Sequence, residues 1–320
     1  MCDIVILTGF AGFIGNKILW DLIQRGYYVL GIDNLSIGSD VSNFNNISYE
    51  NFYPIFADIS DPNLLKYVSA LYSFKGKEVG IINCAAQSHV DRSWNQVDDF
   101  IKSNINGPIN LAKIAIDLKV KKFVHVSTDE VHGRSLQPFT EETPLNTGNA
   151  YASSKAAAEL FLKNYCEGFG LPLVITRGAN TYGPRQKEKI IPLTIEKLIK
   201  GEKVPLYKTR ARRLYLHVSD HSNGIISALE KGKIGETYCL APEIENELYT
   251  SDLVKMICDI MKKDFNECVE LVQDRPSYDL RYWMKNDKAK KELNWFPQKD
   301  IRKELESVVN WYVTKFGLPK

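Results

Sequence analysis

The residues IVILTGFAGFIGNKILWDLIQRGYYVLGID, 4–33, decide how the chain is read. An apolar run enters the turn Gly9-Phe10-Ala11-Gly12-Phe13-Ile14-Gly15, a helical stretch follows, and a second apolar run ends at Asp33. Strand, glycine turn, helix and strand in that order open a right-handed βαβ unit. Glycines in such a turn let the backbone approach a pyrophosphate, and the helix N-terminus supplies free N–H groups and the positive end of its dipole. The spacing is G-x-x-G-x-x-G, a variant of the commoner G-x-G-x-x-G. Asp33 falls eighteen residues after Gly15, where a carboxylate grips the adenosine ribose hydroxyls and repels a 2′-phosphate. The cofactor expected from these residues is NAD.

Outward from this unit, apolar β-rich runs alternate with amphipathic stretches through the first half of the chain. Strands are expected near 3–8, 27–32, 53–57, 79–85, 122–127 and 172–176, with helices near 12–25, 61–74, 96–118 and 149–169. That alternation predicts an α/β fold, a doubly wound parallel Rossmann-type sheet. After about residue 180 the rhythm breaks, and Pro184, Pro192, Pro205, Pro242, Pro276 and Pro297 punctuate shorter elements. The expected organisation is a dinucleotide-binding domain over 1–180 and a smaller, mixed α/β substrate-binding region over 181–320, with the chain free to cross back between them. A ligand held beyond the strand C-termini needs such a region to close over it.

Composition excludes several classes. The 320 residues are 44% hydrophobic and 25% charged, ample for a core and unlike a disordered chain. The balance of 41 basic against 39 acidic residues leaves no excess field to gather nucleic acid. The longest apolar runs, such as VILTG and GIINCAA, are too short to cross a bilayer. The opening MCDIVILTGFAGFIG carries no export pattern. Cys2, Cys84, Cys166, Cys239, Cys258 and Cys268 form neither a Cys-x-x-Cys pair nor a framework spacing, so reduced thiols in the cytoplasm are expected. The histidines at 89, 125, 132, 217 and 221 lack ligand spacing, and no metal is expected.

Two short stretches carry chemistry. In Tyr151-Ala152-Ser153-Ser154-Lys155, at the expected start of a helix, the i, i+4 spacing puts phenol and ammonium on one face. A tyrosine at its ordinary pKa of about 10 is a poor base; the lysine charge together with a positive nicotinamide is expected to lower it. After the strand FVHVS comes Thr128-Asp129-Glu130. Adjacent carboxylates on a strand face opposite ways, so both serve one site only if the backbone turns there. In unlike environments one of them keeps a proton as acid while the other stays ionised as base.

With these residues in view the chain resembles the extended short-chain dehydrogenase/reductase superfamily and, within it, the nucleotide-sugar 4,6-dehydratases. The resemblance runs through TGFAGFIG (8–15), AAQSHVDRS (85–93), HVSTDEVHG (125–133), YASSK (151–155), TRGANTYGPRQ (176–186), EKIIPL (188–193) and DRPSYDLRY (274–282). The glycine turn and Tyr-x-x-x-Lys are shared with epimerases and decarboxylases of the same fold; Thr128-Asp129-Glu130 is the dehydratase feature.

The resemblance implies that Tyr151, with Lys155 and Thr128, takes the proton of the glucose 4-hydroxyl as hydride moves to NAD. It implies that Glu130 removes the C5 proton and Asp129 protonates the departing 6-hydroxyl, giving a 4-keto-6-deoxy sugar, an early step toward rhamnose or another deoxysugar. Dinucleotide contacts implied in the same way are Gly9, Gly12, Phe13, Ile14, Gly15, Asp33, Asn34, Ser36, Asp58, Ile59, Ala85, Ala86, Ser103, Ser127, Tyr151, Lys155 and Asn180. Substrate contacts implied are Ser88, Thr128, Asn180, Lys189, Pro192, Tyr207, Arg213, Arg275 and Tyr278, with the basic groups on the diphosphate. A homodimer through the helices near 96–118 and 149–169 is implied as well.

The sequence departs from the family pattern at His132, where tyrosine is common, at Thr181, in place of a second asparagine, and across 209–218, TRARRLYLHV. Gln87 and Thr176-Arg177-Gly178 resemble the UDP-rhamnose branch and favour UDP-glucose over dTDP-glucose. Rival readings are a nucleotide-sugar 4-epimerase or decarboxylase, which has no use for an acid at Asp129, and a non-catalytic NAD-binding sensor.

Overall fold

Strands that are apolar at nearly every position suit a sheet covered on both faces. In the computed structural model, which describes residues 2–48, 50–135, 137–274 and 280–317, the six strands read from the sequence lie parallel. They are β1 (Ile4–Thr8), β2 (Tyr28–Asp33), β3 (Phe52–Phe56), β4 (Val79–Asn83), β5 (Lys122–Thr128) and β6 (Leu173–Gly178). Beyond them come β7 (Asn180–Tyr182), β8 (Val204–Tyr207), β9 (Arg212–His217), β10 (Thr237–Leu240), β11 (Glu247–Tyr249), β12 (Val269–Val272) and β13 (Arg281–Tyr282). The main sheet runs β10-β6-β5-β4-β1-β2-β3. Its seventh strand, β10, is absent from the sequence reading because it has only four residues and follows a proline-punctuated stretch.

Helices α1 (Phe13–Gln24), α2 (Leu64–Leu71), α3 (Val90–Asn95), α4 (Val97–Ile101), α5 (Gly107–Asp117) and α6 (Ala150–Phe169) fill the first crossovers. They are followed by α7 (Ile190–Lys200), α8 (Val218–Lys231), α9 (Thr250–Ile260), α10 (Phe265–Cys268) and α11 (Ile301–Gly317). Alternate residues of β1 feed opposite layers, as strand geometry requires. Val5 and Leu7 join Ile18, Leu19 and Leu22 of α1 with Ile225 and Ile226 of α8, whereas Ile4 and Ile6 join Leu111 and Ala115 of α5 with Leu162 of α6. A separate core unites Ile191, Ile195 and Leu198 of α7 with Leu253 and Ile257 of α9 and Leu305 and Val308 of α11.

The helix expected over 96–118 is interrupted. Between α4 and α5 the residues Lys102–Asn106 form a π-helical turn, and Pro108 has no N–H to return to residue 104, which favours the wider turn. The interruption turns Asn104 inward, where it exchanges two hydrogen bonds with the Gln87 backbone and donates to Ser154 Oγ at 2.9 Å. Among the described residues no helix is long and apolar enough to cross a membrane.

Strand order reverses between β1 and β4. The loops leaving their C-terminal ends diverge there and open a crevice. The candidate site fills it.

Candidate active site

The cleft has a volume of about 600 Å³ and draws its walls from the ends of β1, β2, β4, β5 and β6 and from the region beyond β6. At one end is the glycine turn. Gly9 has φ +72°, and a Cβ on Gly15 would stand 1.9 Å from Gly9 O, so only glycine allows the turn to fold on itself. Helix α1 starts at Gly12 without a side-chain cap, which leaves the first N–H groups, of Phe13, Ile14 and Gly15, facing the cleft. Asp33, only 5% exposed, accepts hydrogen bonds from Ala11 N at 3.0 Å, Leu35 N at 2.8 Å and Ser39 Oγ at 2.9 Å. The carboxylate therefore braces the turn as well as facing the cleft. Asn34, Ser36, Asp58, Ile59, Ala85, Ala86 and Ser103 line the same end. The uncapped helix start and glycine cradle fit a dinucleotide pyrophosphate, and Asn180 Nδ2 is a buried donor in this cleft without a protein partner.

At the reacting end, β5 stops at Thr128, whose hydroxyl accepts from Glu130 N at 3.3 Å and starts the single 3-10 turn Asp129–His132. Gly133, at φ +63°, ends it; a Cβ there would meet Asn146 O at 1.8 Å. This tight turn meets the condition set by the sequence, since Asp129 and Glu130 both line the cleft beside Thr128, Tyr151 and Lys155. Glu130 is held by Asn149, which donates Nδ2 to Glu130 Oε2 at 3.0 Å while its Oδ1 accepts from Ala152 N at 2.8 Å as the cap of α6. Asn149 was not among the expected site residues; an N-cap residue type just before Tyr151 is the signal that marks it.

The electrostatics separate the two carboxyls. Burial, and then the neighbouring Glu130 charge, push Asp129 up to about 7, and its Oδ2 has no hydrogen-bond partner. Asp129 thus carries a proton near neutrality, as a general acid must. The expectation that Lys155 lowers the Tyr151 pKa is corrected for the chain by itself. Burial first, and the Glu130 carboxylate next, push the phenol well above its ordinary value, while a hydrogen bond with Thr128 works the other way. Lys155, lowered to about 8 chiefly by burial, directs Nζ to Val126 O at 2.7 Å and stands 3.4 Å from His125 Nε2. A buried row continues from there, with His125 Nδ1 3.1 Å from Asn83 Nδ2, and Thr8 Oγ1 donating to Asn83 Oδ1 at 2.7 Å.

Of the expected substrate contacts, Ser88, Asn180, Lys189, Tyr207 and Arg213 line the cleft. Lys189 Nζ donates to Ser88 O at 3.1 Å, and the Arg213 guanidinium lies 4.4 Å from the Tyr282 ring centre. Pro192 is buried in α7 and does not line the cleft; its neighbours Ile191 and Leu193 do. Arg275 and Tyr278 fall outside the described residues. The loop after β7 crosses to the opposite lip, through Arg185 to Asn43 at 3.1 Å, Lys187 to Asp40 at 3.0 Å and Glu188 to Arg92 at 3.1 Å. Among the described residues no group of three or more His, Cys, Asp or Glu side chains is arranged to hold a metal ion.

The Asp129 environment carries a testable consequence. Its folded-state pKa is raised from 3.8 to about 7, so its ionisation opposes folding increasingly as pH climbs between those values. Asp129→Asn should raise the unfolding free energy more at about pH 8 than at about pH 5, by about 2–3 kcal/mol. Urea unfolding at the two pH values reads the difference, and an equal gain at both contradicts the assigned protonation.

Residues 6–308 match the GDP-mannose 4,6 dehydratase family. The chain is 35% identical to the dTDP-D-glucose 4,6-dehydratase of Bos taurus over 98% of its own length and 89% of that protein. Among solved structures, a dTDP-glucose 4,6-dehydratase of Streptomyces venezuelae with NAD bound superposes with a TM-score of 0.91 at 34% identity, covering 98% of each chain. A UDP-glucose 4-epimerase of Thermotoga maritima follows at TM-score 0.87 and 26% identity, covering 98% of this chain and 99% of that one. With the glycine turn, the Tyr-x-x-x-Lys pair and the carboxylate turn gathered in one cleft, the chain belongs to the GDP-mannose 4,6 dehydratase family.

Proposed function

We propose that this protein is an NAD-dependent hydro-lyase that converts a nucleoside-diphosphate glucose, dTDP-glucose first, to the 4-keto-6-deoxy sugar. The observation that carries this reading is the pair Asp129 and Glu130, adjacent in one cleft, with the former buried and held up to about 7. When bound, NAD supplies the hydride acceptor that is regenerated within the turnover and a positive ring charge that favours the Tyr151 phenolate. Tyr151 takes the proton of the 4-hydroxyl, with Thr128 and Lys155 orienting the sugar. The 4-ketone acidifies the C5 hydrogen, and Glu130, braced by Asn149, takes that proton. Asp129 gives its proton to the 6-hydroxyl, which leaves as water. Glu130 then returns a proton to C5 as C6 is reduced. The loop that ties Arg185, Lys187 and Glu188 to the far lip favours a cofactor held through the whole cycle.

Thymine is preferred to uracil here on the ground of the relatives. The Bos taurus and Streptomyces venezuelae relatives are dTDP-glucose 4,6-dehydratases by name. Of the residues behind the uracil reading, Arg177 is 1% exposed and bound to Glu159, while Gln87 lines the cleft 3.3 Å from Ser36. The product fits use as a precursor of rhamnose or another deoxysugar.

The helices α4 and α6 carry an apolar face, with Val97 45%, Ile101 41%, Leu160 54% and Phe161 46% exposed. A second copy of the chain covers this face in the assembly proposed here. Phe100 connects it to the site, its ring centre lying 6.4 Å from that of Tyr151.

Two measurements test these statements. Purified protein given dTDP-glucose or UDP-glucose without added reductant should yield a sugar nucleotide lighter by one water, faster from dTDP-glucose, by mass spectrometry. An unchanged mass with glucose turned to galactose makes the protein an epimerase instead. Leu160→Asp with Phe161→Asp should halve the mass in light scattering, because two buried charges oppose the apolar contact; a monomeric unmodified chain removes the dimer from the account.

A further inference from the structure

Beneath the carboxylate turn lies a buried ion pair that the proposed reaction does not use. Glu159 and Arg177 have side chains 0% and 1% exposed, with Nη2 2.6 Å from Oε2 and Nε 3.1 and 3.2 Å from the two carboxylate oxygens. Tyr151, Lys155 and Glu159 follow at intervals of four along one stripe of α6. Arg177 lies on β6 directly opposite Ser127 of β5. Burial works against the Glu159 charge, but the hydrogen bond and charge of Arg177, with the Ser127 hydroxyl, outweigh it and hold the carboxyl below its ordinary value.

The remaining contacts of the pair reach both ends of the catalytic turn. Ser127 Oγ, just before Thr128, donates to Glu159 Oε1 at 2.5 Å. On the far side Arg177 Nη1 lies 3.2 Å from His132 Nε2, at the end of the turn, and donates to Glu141 O at 3.3 Å. A guanidinium only donates, so His132 Nε2 accepts and the ring proton sits on Nδ1, 3.4 Å from Pro144 O. Burial, and then the Arg177 charge, lower the imidazole to about 4, which keeps it neutral and able to accept. Its ring stacks on Phe139 at 4.8 Å. Buried ion pairs add little to stability over well-packed apolar groups, so a pair anchored at both ends of one catalytic turn calls for a role in placement.

We propose that the Glu159–Arg177 pair positions Asp129 and Glu130 by gripping their turn through Ser127 and His132, so that water loss depends on it more than oxidation at C4 does. Tyr151 has further anchors outside the pair, in the Asn149 cap of α6 and the bond from Tyr151 N to Ser93 Oγ at 3.1 Å. This rests on the dehydratase reading. Residues of the pair act through the turn and are positioning residues.

Replacing Arg177 or Glu159 strands a buried charge and endangers folding, so the deciding variant is His132→Phe. It keeps an aromatic ring against Phe139 and removes the acceptor, while His132→Gln restores an acceptor at the place of Nε2. Holoenzyme with bound NAD is mixed rapidly with dTDP-glucose; absorbance of reduced nicotinamide reads C4 oxidation, and quenched mass spectrometry reads water loss. In His132→Phe, oxidation should stay within about twofold and water loss should slow about 10- to 100-fold, the scale of a misplaced catalytic group. Reduced cofactor then accumulates, and His132→Gln recovers most of the rate. Equal slowing of both steps, no slowing, or a glutamine variant no better than phenylalanine overturns the positioning role. Absence of water loss in the unmodified holoenzyme overturns the dehydratase reading, and the positioning role with it.

Discussion

Two carboxyls placed side by side, one of them buried, cannot both hold a charge without an electrostatic penalty. The turn after β5 imposes that condition. Thr128 starts it, Gly133 ends it, and the backbone between them brings Asp129 and Glu130 into one cleft. Burial and mutual repulsion leave the proton on Asp129, whose Oδ2 has no partner, while Glu130 is steadied by Asn149. In the proposed reaction an acid and a base thus arise from two chemically near-identical residues in unlike environments. In that proposal the dinucleotide cradle and the Tyr151 phenol serve one reaction with the two carboxyls.

The fold serves this end economically. Reversal of strand order between β1 and β4 opens the crevice, and the uncapped start of α1 offers N–H groups to one end of it. Helix α6 delivers Tyr151 and Lys155 to the other end and sends Glu159 down into the sheet. The region beyond β6 has its own core, yet it returns strand β10 to the main sheet and extends a loop across the cleft mouth. Binding surface and scaffold are therefore interleaved along the chain.

Much of this was legible because the signals are local. The glycine turn, Asp33, the Thr128-Asp129-Glu130 triplet and Tyr151 with Lys155 each declare themselves within a few residues, and all line the cleft. What escaped depends on partners far apart in sequence. Arg177 meets Glu159 and His132 only once β5, β6 and α6 have packed; Asn104 is aimed by a π-helical turn; and the Asn83–His125 contact needs strand register. Pro192 carried the family pattern but is buried in α7 and does not line the cleft. The lowering expected of Tyr151 needs the nicotinamide charge as well as Lys155, since in the chain alone burial and Glu130 raise the phenol while Lys155 engages Val126 O.

In the proposed reaction one molecule of sugar is oxidised at C4, dehydrated and reduced at C6 in a single closed cycle. The direct measurement supplies dTDP-glucose bearing deuterium at C4 to the holoenzyme, with unlabelled NADH in solution, and locates the label in the product by NMR. Deuterium carried to C6 of a 4-keto-6-deoxy sugar is the predicted result. Deuterium remaining at C4, or lost to the NADH pool, contradicts the account.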